Sequence, residues 1–134
     1  MTARGLVLTL LGCLAVAGCP GNEGPVAGEL EVRLATPNGD DRAVHFRLVG
    51  AQTAVTAPPG TAYRVFVSPE PGSDTARVVV VAAQGTALAP GPLARVMVPD
   101  TRRAAAYAAG VLEVASTAYG QRAPAGYVLT VVRP

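Results

Sequence analysis

Glu29-Leu30-Glu31-Val32-Arg33-Leu34 and, ten residues further on, Val44-His45-Phe46-Arg47-Leu48 decide the fold. In both runs apolar and polar side chains alternate with a period of two, as in a strand with one face buried and one in water. A helix would instead group its apolar residues at spacings of three and four. Between them lies Thr36-Pro37-Asn38-Gly39-Asp40-Asp41, in which Asn-Gly offers the positive φ of a tight turn. The two runs are therefore expected to form a hairpin-like pair.

The same period continues outward. A short strand is expected at Thr53–Thr56, before Pro58-Pro59-Gly60 breaks the chain. Tyr63, Val65 and Val67 then alternate with Arg64 and Phe66, and Pro69-Glu70-Pro71-Gly72-Ser73-Asp74 reads as a loop. Arg77-Val78-Val79-Val80-Val81-Ala82 is apolar on both faces, which predicts a central strand covered on each side. Ala89-Pro90-Gly91-Pro92 turns the chain into Leu93–Val98, which Pro99 ends. Asp100 to Gly110 is ambiguous, because Asp100 is a good helix cap and alanines favour helix, whereas Val111–Val114 is a β-branched run. The alternation favours a strand over roughly Ala106–Ala115 after one helical turn at Thr101–Ala105. Tyr127–Arg133 alternates again and closes the domain.

Seven to nine short strands with Pro/Gly turns and no βαβ rhythm imply an all-β chain, folded as a single antiparallel β-sandwich over residues 29–134. The order Val44–Gly50, Gly91–Val98, Tyr107–Val114 and Gly126–Val131 resembles that of cohesin-type domains, the sandwich modules of bacterial surface assemblies, and of other immunoglobulin-like sandwiches. The resemblance is one of spacing and implies the fold class. It departs from cohesins in its short first hairpin, nothing marks a dockerin-binding face, and no binding residue carries over.

Composition narrows the function. The chain has 134 residues, one domain's worth, and half are apolar while only 4% are aromatic, so its core must be built of Ala, Val and Leu. Every basic residue is Arg, but the arginines are scattered and not interleaved with aromatics, and the formal charge is only +2. That balance argues against nucleic acid as a partner. The only cysteines are Cys13 and Cys19, leaving residues 20–134 without a disulfide.

The first residues are of another kind. Met1-Thr2-Ala3-Arg4 is a short basic start, and Gly5 to Ala15 is an apolar run of 11 residues, too short to span a bilayer but suited to a signal-peptide core. Val16-Ala17-Gly18-Cys19 follows and resembles the lipobox of bacterial lipoproteins: a branched apolar residue, two small residues and a cysteine. The resemblance implies a lipoprotein signal peptide over residues 1–18, cleavage between Gly18 and Cys19, and lipidation of Cys19 through its Sγ. Several acyl chains on one residue hold a protein firmly to a membrane, where a single chain does not. Pro20 and Gly21 stand where an aspartate would retain some lipoproteins at the inner membrane, so the resemblance points to the outer membrane. Residues 19–28, rich in Gly and Pro, read as the lipidated cysteine and a flexible tether.

Candidate chemistry is sparse. Asn38, Asp40 and Asp41 supply hard oxygens of the kind calcium takes, although their spacing is not that of an EF-hand loop and a solvated turn is the simpler reading. His45 is the only histidine, with no second histidine or nearby cysteine for a zinc site. Ser68, Ser73 and Ser116 lie outside any nucleophile-elbow context. Glu70, Asp74, Asp100 and Glu113 are the carboxylates available for glycoside hydrolysis, and nothing in the sequence pairs any two of them. No catalytic residue and no cofactor is expected. The sequence reads as a non-catalytic protein-binding or structural module of the cell envelope, attached to a membrane by its lipid and meeting a protein or surface polymer. A carbohydrate-binding or accessory module is the alternative, made less apt by the lack of Trp, and a small enzyme ranks third.

Overall fold

The computed structural model describes residues 24–134. The signal segment, Gly18, Cys19 and the first four residues of the tether lie outside the described residues. Nine strands follow in order: β1 (Gly28–Ala35), β2 (Asp41–Val49), β3 (Ala54–Thr56), β4 (Arg64–Pro69), β5 (Thr75–Val81), β6 (Gly91–Val98), β7 (Ala108–Ser116), β8 (Gln121–Arg122) and β9 (Val128–Val132). A short 3-10 helix, Thr101–Ala106, joins β6 to β7. The strands form two antiparallel sheets, of order β3-β6-β1-β9 and β4-β5-β2-β7-β8, packed face to face as a β-sandwich.

The core lies between them because each strand turns its apolar set the same way. Leu30, Val32 and Leu34 of β1 meet Val44, Phe46 and Leu48 of β2, joined by Val78, Val80, Val96, Val98, Val114 and Leu129. Phe46 is the one aromatic ring among the fully buried side chains. Each buried Val or Leu contributes about 1.5–3 kcal/mol by leaving water, so many small side chains replace a few large anchors.

Two expectations are corrected. The first two runs do not form a hairpin: β1 pairs with β6 and β9, and β2 pairs with β5 and β7, in the other sheet. Each run has one apolar face, and the two faces meet across the core instead of edge to edge. Gly39 accordingly does not take the positive φ of a tight turn. β5, expected to be covered on both sides, is covered on one: Ala76, Val78 and Val80 are buried, while Arg77 is exposed and Val79 and Val81 are half-buried. Its valines satisfy a position with strands on either side, between β4 and β2, under a single layer.

The ambiguous stretch resolves as a 3-10 helix followed by a strand. Asp100 is extended and its side chain accepts the backbone N–H of Arg102, which starts the helix, and Tyr107 returns to extended geometry. The register of β7 is irregular. Glu113 pairs with His45 but Val111 pairs with Phe46, so Leu112 is the extra residue of a bulge. The bulge turns Glu113 outward and lets both Val111 and Val114 pack on the core. The two-residue β8 has too little periodicity to be read from sequence. It is brought onto β7 by a turn in which Tyr119 takes a positive φ.

Candidate functional site

The two ends of the sandwich differ, and the calcium candidates lie at one of them. In the β1–β2 connection Thr36 Oγ1 accepts the backbone N–H of Asn38 at 3.0 Å and donates to Asp41 Oδ2 at 2.5 Å. Asp41 is fully buried, and its Oδ1 accepts from the Tyr127 hydroxyl at 2.7 Å and from Arg122 Nη1 at 2.9 Å. Arg122 also grips Asp40 with both terminal nitrogens, at 2.7 and 2.8 Å, and Asn38 Nδ2 donates to the Tyr127 hydroxyl at 2.7 Å. Sequence reading placed Asn38, Asp40 and Asp41 together and missed Arg122 and Tyr127, which arrive from more than 80 residues away.

The electrostatics follow from the guanidinium. Arg122 holds the Asp40 carboxyl below its ordinary range, chiefly by hydrogen bonding, and the same bonds raise the arginine's own pKa. Charge-assisted, forked contacts of this kind are the strongest available to neutral-pH side chains. Both carboxylates are thus engaged by an arginine, and Asp41 is shut off from solvent. Among the described residues no cluster of three or more His, Cys, Asp or Glu side chains is arranged to hold a metal. The arrangement is a clasp: it ties the β1–β2 connection to β8 and to the start of β9.

The other end, where Gly28 opens β1, is concave. A cleft of about 490 Å³ is lined by Gln52, Val55, Val67, Pro69 and Asp74, between the free edges of β3 and β4. A second, of about 660 Å³, is lined by Gly50, Asp74, Asp100, Arg103 and Tyr107. The fold therefore brings Asp74 and Asp100 to one cleft, which the sequence alone did not. Asp100 is already occupied: Arg102 Nε lies 3.0 Å from its Oδ1, and this contact holds its pKa down to about 2. Tyr107 lies over Gly50 with its hydroxyl donated to the Ala51 carbonyl, and burial pushes its pKa up. Val26 is fastened at this end, its carbonyl accepting from Thr101 N at 2.8 Å.

The remaining candidates are dispersed. His45 stands on the outer face of the five-stranded sheet, half-buried, with Nδ1 3.5 Å from Glu113 Oε2. Glu70 lies between Arg47 and Arg77, at 3.7 and 3.6 Å. Ser116 Oγ accepts the Gly120 N–H and shapes the β7–β8 turn, Ser73 Oγ accepts the Thr75 N–H, and Ser68 is exposed on β4. One acid read as solvated is not: Glu31 is 4% exposed on the outer face of β1, beneath Arg33 at 2.5 Å and Arg95 at 3.4 Å. No helix among the described residues is long and apolar enough to cross a membrane.

Comparison with known proteins adds no relative: no protein family, curated protein or solved structure matches this chain.

Proposed function

We propose that this chain is a bacterial envelope lipoprotein, held to a membrane through lipidated Cys19 and working as a non-catalytic protein-binding or structural module. One observation carries the reading: Arg4, an apolar run of 11 residues and Val16-Ala17-Gly18-Cys19 follow one another in the order that lipoprotein export and lipidation require. The β-sandwich supports the second half of it. Its polar network is a closed clasp, and what it offers a partner is strand edges and loops, which suit backbone pairing and surface contact. The cohesin-like spacing of its strands is consistent with such a module.

In this reading the tether sets the orientation. Val26 and Gly28 lie at the concave end, so the clefts sit nearest the lipid and the Asp41 clasp points away from it. With Val26 fastened to the domain, the six residues 20–25 reach roughly 12–15 Å as a coil, close enough to keep the domain near the headgroups.

Mass spectrometry of the mature N-terminal peptide tests the anchor, with a diacylglyceryl thioether on Cys19 as the first residue expected. Cys19→Ser should move the protein from the membrane fraction to the soluble fraction. A mature chain that begins elsewhere and carries no lipid sinks the proposal. Affinity capture from the envelope with the lipidated chain tests the module, and recovery of glycan without protein would favour the carbohydrate-binding alternative.

A further inference from the structure

The outer face of the five-stranded sheet has an uneven surface that no part of the described chain covers. Strand register lays out two rows across it, Phe66–Val79–His45–Glu113 and Arg64–Val81–Ala43–Ala115. Phe66 is 56% exposed at the β4 side. At the β7 side lies a depression of about 340 Å³ lined by Ala43, His45, Val79, Glu113, Ala115 and Gln121. The charges are as unevenly placed: Arg64, beside Phe66, makes no ion pair among the described residues, and Glu113, at the rim of the depression, has only His45 at 3.5 Å. A third row, with Arg77 and Arg47 bridged by Glu70, bounds the patch.

An exposed ring with a positive charge at one flank, and a hollow with a negative charge at the other, are complementary to each other. We propose that a second copy of this chain covers the face, in a two-fold dimer whose axis runs parallel to the strands. Such an axis reverses strand order across the interface and keeps the rows level, so β4 of one protomer lies over β7 of its partner. Phe66 then lies over the partner's His45–Glu113 row, beside the hollow, and Arg64 lies over the alanine row. From there its long side chain reaches two residues along the strand, about 7 Å, to the partner's Glu113. The contact occurs twice. An axis across the strands would instead stack β4 on β4 and β7 on β7, leaving Arg64 and Glu113 on opposite flanks where they cannot meet. Electrostatic complementarity of this kind fixes register more than it adds affinity, while the apolar row supplies the burial. This inference does not depend on the lipid anchor.

The full chain, purified in detergent, tests it by chemical crosslinking, since facing sheets lie about 10 Å apart, beyond the reach of a disulfide. Arg64→Cys combined with Glu113→Cys should give a covalent dimer with a short bismaleimide of about 10 Å reach, because the two positions approach each other only between protomers. Neither single variant, nor the parent chain with its own cysteines, should do so. A double variant that stays monomeric, or a single variant that crosslinks as well as the double, overturns the proposal. Sedimentation gives a second reading that needs no crosslink. Arg64→Glu and Glu113→Arg should each weaken dimerisation at least about tenfold, and the combined swap should restore it. Both positions face solvent in the single chain, so circular dichroism should show all three variants folded. Swaps that change nothing, or that fail to restore, refute the pairing.

Discussion

Gly50 and Tyr107 show how closely one residue can depend on another. Gly50 has a φ of 127°, and a Cβ built there would lie 2.3 Å from the Tyr107 ring. Gly50→Ala combines backbone strain with overlap against a ring held by its own hydroxyl, so a loss of about 2–4 kcal/mol is expected from the midpoint of urea unfolding. Tyr127 is the second such position. Tyr127→Phe keeps the ring but removes the donor to buried Asp41 and the acceptor for Asn38, and should cost about 1–3 kcal/mol by the same measurement. The acids at the two ends predict a pH dependence. The folded pKa of Asp100 is depressed from 3.8 to about 2, and that of Asp40 is also lowered. Groups with depressed pKa values stabilise the fold above their ordinary value and lose that contribution as pH falls through the folded one. Stability should therefore decline between about pH 4 and pH 2, and Asp100→Asn should shrink the decline, as urea midpoints across that window will show.

Among the elements, β7 carries the sharpest test. Its bulge at Leu112 reconciles two stretches of opposite phase, with Ala109 and Val111 facing the core on one side and Val114 on the other. Leu112 itself is 38% exposed, so Leu112→Ala should change stability by less than about 1 kcal/mol. Deleting Leu112 removes the bulge but keeps the alternation, with Val111 inward, Glu113 outward and Val114 inward opposite Phe46, His45 and Val44. The strand should therefore stay paired, and a denaturant titration should show a loss of no more than about 2 kcal/mol. The position of β7 was legible in the alternation from Tyr107 onward and in the β-branched run, but the bulge was not. A bulge depends on which residues of β2 lie opposite, and β2 is some 60 residues earlier. The same holds for β5, whose unbroken valines signalled a strand with neighbours on both sides but not whether a second layer lay above them.

Taken as a fold, the chain was readable wherever one strand's own pattern was enough. Alternation at a period of two is local: it follows from side chains pointing to opposite sides of a pleated backbone, and it announced the strands, the all-β class and the sandwich from residues a few positions apart. The absence of cysteine beyond Cys19 likewise means that residues 20–134 are held together by packing and hydrogen bonds, with no disulfide among them. Which strand lies beside which is non-local. β1 is paired with strands that begin at Gly91 and Val128, and that choice depends on loop closure and on the match of two buried faces. Only the tertiary structure could therefore separate the apparent hairpin into two sheets or draw Arg122 and Tyr127 onto Asp41. It alone sank Glu31 beneath two arginines and set Phe66 and Arg64 across one face from Glu113. Each of these is a meeting of side chains far apart along the chain, and a period read along one strand carries no information about its partner across the sheet.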